Sequence, residues 1–257
     1  RLTTAAALLA LLAKTPCRLN GWSNSFYQAC YSDWPALFGA RGLGEGVYPF
    51  ISAGSEFEYP VLLGLLAGFV AWLVPADAAS RGLVYFDLNA VFATAAWIVT
   101  VIATMKMANR RPWDAAMVAV APAMILSMFI NWDIWAVMLA ALGMLAFARN
   151  QPVLAGVLIG LGTALKLYPV LILGAVLVLA LRTLKLRAAA LTFAATAGAW
   201  LAVNVPFMLR DFAGWKFFYE FSKDRGAGNS SVWQAWNITF PESPVDAAFI
   251  SFWAYFL

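Results

Sequence analysis

The residues of this chain that could carry chemistry are a few carboxylates and lysines at the edges of apolar stretches. Asp33 stands among aromatic residues, Asp133 follows an Asn-Trp pair, and Lys166 interrupts the long apolar stretch 153–181. An ionisable side chain is costly at membrane depth, so its presence there points to a function. A carboxylate in such a place can act as a general base, and a lysine can bind an anion.

Each of these three residues also has a purely structural interpretation. Asp33 could cap a short helix that begins near Pro35. Asp133 could be a turn residue, because Asn and Asp side chains stabilise turns. Lys166 could extend its ammonium group to the membrane interface and leave its methylene groups in lipid. Sequence alone leaves both interpretations open for each residue.

Two further polar segments could contact a substrate. Glu58, directly before a Tyr-Pro pair, could bind a sugar hydroxyl or cap the next helix. Segment 217–233 combines Lys223 and Arg225 with glycines and with serines that include Ser231. Such a loop could hold a phosphate group, and a solvated charged loop is the alternative.

Several classes of chemistry have no residues to support them. The chain contains no histidine, which excludes histidine-based triads and histidine-ligated metals in this sequence. CxxC, HExxH, Walker and GxGxxG motifs do not occur either, so we expect no nucleotide cofactor and predict no metal ligands. The formal net charge of +4 fits contacts with anionic membrane lipid, so we expect no nucleic-acid partner.

Composition predicts the elements that position these residues. Hydrophobic residues make up 63% of the 257 residues, charged residues 12%, and the mean hydropathy is +0.76. Because lipid-exposed backbone must satisfy its own hydrogen bonds, this composition predicts an all-α polytopic membrane protein, with one transmembrane domain over 1–257. The chain begins at Arg1 and stops inside an apolar run, so we expect a fragment of a longer protein. Residues 2–13 then read as the end of a first helix, or alternatively as part of a cleaved signal sequence.

The apolar runs define the expected helices: 59–75, 86–105, 115–130, 134–148, 153–165, 170–181, 188–209 and one from near 247. As one helix, 115–148 would be roughly 50 Å long, which exceeds a hydrocarbon core of ~30 Å. We therefore predict a hairpin with its tip at Asn131–Asp133. A second hairpin of short, broken helices is predicted around Lys166–Pro169.

Cations predict the side of each turn. They occupy three alternate turns: Lys106, Arg110 and Arg111, then Arg149, then Arg182, Lys185 and Arg187. The positive-inside rule places these turns in the cytoplasm. The loops 14–58 and 210–245 then face the outer side, provided that 59–75 does not cross the membrane. We expect 59–75 to be a juxtamembrane helix or a re-entrant hairpin.

Cys17 and Cys30 are the only cysteines, and both lie in the loop 14–58. A pair confined to one loop suggests a disulfide and an oxidising compartment. The alternative is two unrelated small residues.

The sequence resembles the family-87 glycosyltransferases in three stretches and one loop. The stretches are Arg110-Arg111-Pro112-Trp113-Asp114, Asn131-Trp132-Asp133 and 155–169 (AGVLIGLGTALKLYP), and the loop is 31–60, with Asp33 early and Glu58-Tyr59-Pro60 late. The family comprises bacterial, notably actinobacterial, membrane enzymes of the GT-C class, and includes mannosyltransferases of phosphatidylinositol mannoside synthesis.

The resemblance implies a GT-C-type helical bundle, a polyprenyl-phosphate sugar donor and transfer on the outer face of the cell membrane. It also implies an essential Asp in the first outer loop, and Asp33 matches it by position. Lys166 matches a lysine of a Lys-x-Tyr-Pro-like stretch. The sequence lacks an Asp-x-Asp motif, which weakens the case for a metal, although metal dependence stays open.

Together these features predict an inverting hexosyltransferase, with mannose as the expected sugar and a lipid or glycan as the acceptor. Asp33 is the expected general base, because a polyprenyl phosphate leaves readily and needs no general acid. Lys166 with Lys223 or Arg225 would stabilise the leaving phosphate. The residues expected to contact substrate are Glu58, Tyr59, Asp133, Tyr168 and Ser231. The alternatives are a transporter or lipid flippase of envelope precursors and, third, a structural scaffold.

Overall fold

The computed structural model describes residues 1–224, 226–228 and 231–246. These residues are predominantly helical, and no strand occurs among them. The helices are α1 (Leu2–Asn20), α2 (Asp33–Ala40), α3 (Val61–Trp72), α4 (Arg81–Met107), α5 (Ala116–Ala119), α6 (Pro122–Ser127), α7 (Asp133–Ala148), α8 (Pro152–Leu165), α9 (Ile172–Thr183), α10 (Leu186–Arg210), α11 (Phe212–Asp224) and α12 (Val232–Thr239). Short 3₁₀ turns occur at Leu43–Glu45, Pro112–Ala115 and Tyr168–Leu171. The apolar run expected from near 247 lies outside the described residues.

Three of the described helices are long and apolar enough to cross a membrane: α1, α4 and α10. With 27 residues, α4 is roughly 40 Å long and exceeds the ~30 Å hydrocarbon core. Shorter apolar helices are α3, α7, α8 and the stretch Tyr168–Thr183. They pack against α4, α10 or one another. The chain is therefore an all-α membrane protein, as its composition predicts.

Segment 112–148 forms a hairpin against α4. The indole of Trp97 donates a hydrogen bond of 3.1 Å to the carbonyl of Val118, and the indole of Trp132 donates one of 2.7 Å to Asn89. The chain therefore runs antiparallel to α4 from 112 to 132, and α7 then returns alongside it. The predicted tip at Asn131–Asp133 is where the direction reverses.

The first arm of this hairpin is not the single helix that the run 115–130 predicts. A 3₁₀ turn, the four-residue α5 and the six-residue α6 share it. The break falls before Pro122, whose ring disfavours helical backbone at Ala121 and which has no N–H to continue the ladder. Ala121 is accordingly extended, with ψ of 129°.

Helices α8 and α10 run in the same direction and pack backbone against backbone. The hydroxyl of Thr192 donates to the carbonyl of Pro152, and that of Thr196 donates to the carbonyl of Gly156, both at 3.1 Å. Helix α9, which lies between them in sequence, runs in the opposite direction. The end of α8, the end of α10 and the hairpin tip therefore lie at one end of the bundle.

The segment that contains α3 begins and ends at that same end of the bundle. Its 12 residues span only roughly 18 Å, too short to cross a ~30 Å core alone. The guanidinium of Arg81, at the start of α4, donates to the carbonyl of Gly44 in the loop before α3. This geometry agrees with the expectation that 59–75 does not cross.

The loop predicted from residue 14 begins later, because α1 continues to Asn20. The two cations in this part of α1 both have partners within the protein. Lys14 donates a hydrogen bond to the carbonyl of Tyr31, and Arg18 forms an ion pair of 2.7 Å with Asp87. Cys17 and Cys30 form a disulfide with Cα atoms 5.8 Å apart, which ties the end of α1 to the loop.

Candidate functional site

Four side chains from distant parts of the chain form one polar cluster at the end of the bundle. The hydroxyl of Tyr59 donates a 2.6 Å hydrogen bond to Oδ2 of Asp33. The ammonium of Lys166 lies 5.2 Å from the centre of the Tyr59 ring and 2.6 Å from Oδ1 of Asp133. Tyr59 thus contacts a carboxylate through its hydroxyl and an ammonium through its ring. We call these four residues the polar cluster.

Asp33 is positioned by its neighbours in the chain. The hydroxyl of Ser32 caps α2 by accepting from the N–H of Trp34 at 3.3 Å. The N–H of Asp33 donates to the carbonyl of Ile130 at 2.7 Å, and Trp34 is fully buried. The capping role that sequence allowed for Asp33 therefore belongs to Ser32, and the Asp33 carboxylate points to Tyr59 instead.

Asp133 and Lys166 meet because two tips converge. The side chain of Asn131 accepts from the N–H of Asp133 at 3.1 Å, so Asn131 is the turn residue. Lys166 follows α8 with extended backbone (φ −151°, ψ 145°), since the helix stops at Leu165. Its side chain is 27% exposed and is paired with Asp133. Both side chains are therefore partners in an ion pair, in addition to any role in the turn or at the membrane interface.

Two buried residues near the cluster escaped the sequence analysis. Asn89 accepts from the indole of Trp132, whose ring lies edge-on to Tyr59 at 5.6 Å between centroids. Lys14 is 2% exposed, and its positive charge acts on Asp33. A lysine inside the apolar pattern of α1 was the available signal for Lys14. Asn89 gave a weaker signal, as one amide inside an apolar helix.

Glu58 and Tyr168 lie beside the cluster in different settings. Glu58 forms an ion pair of 2.7 Å with Arg41, and its side chain is 15% exposed, so its carboxylate already has a cationic partner. The hydroxyl of Tyr168 is buried, with no hydrogen-bond partner among the described residues. A phenol in that position is ready to donate to a polar group of a bound molecule.

The segment expected to hold a phosphate comprises the end of α11 and the start of α12. Lys223 is exposed at the end of α11. The hydroxyl of Ser231 caps α12 by accepting from the N–H of Gln234 at 3.1 Å, which gives Ser231 a structural role. Arg225 lies outside the described residues.

An apolar groove of about 600 Å³ opens between α8, α9 and α10. Tyr168 lines it, and so do Leu167, Leu171, Phe193 and Trp200. Lys166 of the polar cluster directly precedes Leu167 and Tyr168, which line this groove. Across residues 1–224, 226–228 and 231–246, no three Asp, Glu, His or Cys side chains lie together in a way that could hold a metal ion.

The fold and the polar cluster define a polytopic helical membrane protein with carboxylates, a tyrosine and a lysine gathered at one end of its bundle. The family model of glycosyltransferase family 87 matches residues 57–254, and the chain belongs to that family. It is therefore a glycosyltransferase, which decides against the transporter and scaffold alternatives. The matched residues include Tyr59, Asp133 and Lys166, whereas Asp33 precedes them. No curated protein and no solved structure matches the chain.

Proposed function

We propose that the protein transfers a sugar from a polyprenyl-phosphate donor to a hydroxyl group of a lipid or glycan acceptor. Mannose is the first candidate for the sugar. The transfer takes place on the outer side of the cell membrane and inverts the anomeric centre. The observation that supports this proposal is the polar cluster, in which the Asp33 carboxylate and the Lys166 ammonium both contact Tyr59.

Asp33 is the general base of the proposed step. Tyr59 holds Oδ2, which leaves Oδ1 to accept the proton of the acceptor hydroxyl. The acceptor oxygen forms its bond to the anomeric carbon while the bond from that carbon to the phosphate oxygen breaks. The electron pair leaves on the phosphate, and protonated Asp33 then releases its proton to water. Attack opposite the leaving group inverts the anomeric centre.

Lys166 stabilises the negative charge that develops on the phosphate. Asp133 holds the ammonium at 2.6 Å and thereby fixes its position before the reaction. A preorganised cation of this kind acts on the transition state without reorganising. The apolar groove beside Tyr168 would accommodate the first isoprene units of the donor, since its lining is mainly Leu, Val, Phe and Trp.

Replacement of the base tests the proposal. Asp33→Asn should leave folding and donor binding intact and lower turnover by at least about a hundredfold, since general-base catalysis contributes 10²–10⁴-fold. Asp33→Glu should recover little of that loss, because one added methylene moves the carboxylate out of line. The measurement is sugar transfer from a synthetic polyprenyl-phosphate sugar in detergent or nanodiscs.

Asp77→Asn is the matched control, because Asp77 is exposed in the loop between α3 and α4. It should retain full turnover. Near-normal transfer by Asp33→Asn would remove Asp33 as the base. Loss of transfer in Asp77→Asn as well would show that the assay reports loop integrity rather than catalysis.

A further inference from the structure

A second cavity lies at the end of the bundle opposite the polar cluster. Its volume is about 530 Å³, and it opens between the turns that join α7 to α8 and α9 to α10. Pro152, which begins α8, lines this cavity, whereas Lys166 directly follows the end of α8. The two sites are therefore separated by roughly 20 Å, the length of that helix.

The lining of this cavity is divided into an apolar wall and a basic rim. Phe147, Leu179 and Leu191 form much of the wall. Lys185 and Arg187 stand at the rim, and both are exposed. A space of this size falls within the ~300–1,000 Å³ of typical ligand pockets. The arrangement suits a molecule with an anionic head and apolar chains.

The positive charge at this rim is not compensated within the described residues. Neither Lys185 nor Arg187 takes part in any of the ion pairs that the structure describes, and the two turns contain no Asp or Glu. Helices α8 and α10 both begin here without a side-chain cap and without an acidic residue in the first turn. Their unpaired N–H groups add partial positive charge.

We infer that this cavity binds one anionic glycerophospholipid. The phosphate lies on Lys185 and Arg187, and the acyl chains lie along Phe147, Leu179 and Leu191. Basic pockets between transmembrane helices bind anionic lipid head groups in this way, through charge and apolar contact together. These cations belong to the turns predicted to be cytoplasmic, where the leaflet is negatively charged. The site is independent of sugar transfer.

Native mass spectrometry of the full chain in detergent tests the inference, with phosphatidylglycerol as the probe and phosphatidylcholine as the neutral comparison. The protein should bind one phosphatidylglycerol in preference to phosphatidylcholine. The double variant Lys185→Gln/Arg187→Gln should weaken that binding about 25-fold, because each cation contributes a factor of about five. The matched control Lys106→Gln/Arg110→Gln removes two cations of the neighbouring basic turn outside the cavity and should change little.

A second variant tests the cavity without altering its charge. Ala188 lines the space, and Ala188→Trp fills it while both rim cations remain. Binding of phosphatidylglycerol should fall at least fivefold, with thermal unfolding unchanged. Equal losses in the two charge variants, or full binding by Ala188→Trp, would overturn the inference in favour of a diffuse basic surface. Displacement of the lipid by millimolar inorganic phosphate would identify a free-anion site instead.

Discussion

At the scale of single residues, Tyr59 links the two charged halves of the polar cluster. Its hydroxyl fixes the Asp33 carboxylate, and its ring lies under the Lys166 ammonium. These are separable interactions, because removal of the hydroxyl leaves the ring in place. Tyr59 is therefore a positioning residue in the proposed reaction, and the donor's phosphate need not touch it.

Tyr59→Phe should lower kcat about tenfold or more with little change in the KM for the donor. A hydrogen bond to a charged group contributes about 1.5–3 kcal/mol, and 1.36 kcal/mol corresponds to a tenfold change in rate. Steady-state transfer assays measure the effect. The control is Tyr27→Phe, since Tyr27 is 95% exposed and its variant should match the parent. An unchanged kcat in Tyr59→Phe would contradict the positioning role.

Lys166 should act on the donor rather than on the acceptor. Lys166→Gln removes the cation that stabilises the leaving phosphate, so we expect a higher KM for the donor together with a lower kcat. The KM for the acceptor should remain within about twofold. Lys216→Gln is the matched control, because Lys216 is an exposed lysine paired with Glu220 on the surface of α11. An effect confined to the KM for the acceptor would contradict this prediction, because it would show that Lys166 acts on the acceptor.

At the scale of elements, two glycines allow α8 to approach α10. A Cβ at Gly156 would lie 2.3 Å from the carbonyl oxygen of Thr192, and one at Gly160 would lie 2.4 Å from that of Thr196. Small residues four apart are a common means of close helix packing in membranes. The approach also permits the two threonine hydroxyls to reach α8.

Gly156→Ala should therefore destabilise the protein, because the contact is with backbone that cannot rotate away. We expect a loss of about 1–3 kcal/mol, the usual cost of overpacking, and a thermal unfolding midpoint lower by several degrees. Gly174→Ala in α9 is the control, since no atom lies within 4 Å of a Cβ there. Equal midpoints for the two variants would show that the α8–α10 contact is looser than its geometry implies.

Helix α11 is also held by hydrogen bonds between segments that are distant in sequence or belong to different elements. It carries six aromatic residues in thirteen positions, as interfacial helices often do. The indole of Trp215 donates to Asn204 of α10 at 3.0 Å, and Arg210 donates to the carbonyl of Ile51. The first bond ties α11 to α10, and the second ties the end of α10 to the loop that also carries Tyr59.

At the scale of the whole molecule, the alternation of turns separates two ends of the bundle. The basic turns at 106–111, 149 and 182–187 lie at one end, and the polar cluster lies at the other. The geometry fixes which segments share an end. Which end faces the cytoplasm is predicted by the cations alone.

Single cysteines placed at the two ends should report that orientation. A membrane-impermeant maleimide added outside intact cells should label Gly228→Cys and fail to label Asn109→Cys, because Gly228 follows α11 and Asn109 belongs to a basic turn. Both positions are exposed, and the two native cysteines are held in a disulfide, so they should not react. After the cells are opened, Asn109→Cys should label too. The reverse pattern would invert the topology and move the polar cluster to the cytoplasmic side.

Local sequence by itself determined the class of the protein, the two hairpin tips and the helix break at Lys166. These follow from composition and spanning length, because a backbone in lipid must satisfy its hydrogen bonds within its own segment. The interruption before Pro122 was not predicted from the apolar run 115–130, although proline supplies a local reason for it. The types and positions of Asp33, Asp133 and Lys166 also marked them as candidates, because an ionisable group at membrane depth is costly.

Tertiary structure alone decided which partners those residues have. Asp33 meets Tyr59 across 26 positions of sequence, and Lys166 meets Asp133 because two separate tips converge. The burial of Lys14 beside Asp33 and the role of Asn89 under Trp132 depend on the same convergence. Spacing along one chain predicts which face of a helix a residue occupies, but hydrogen bonds between segments require distances that only the packed bundle sets.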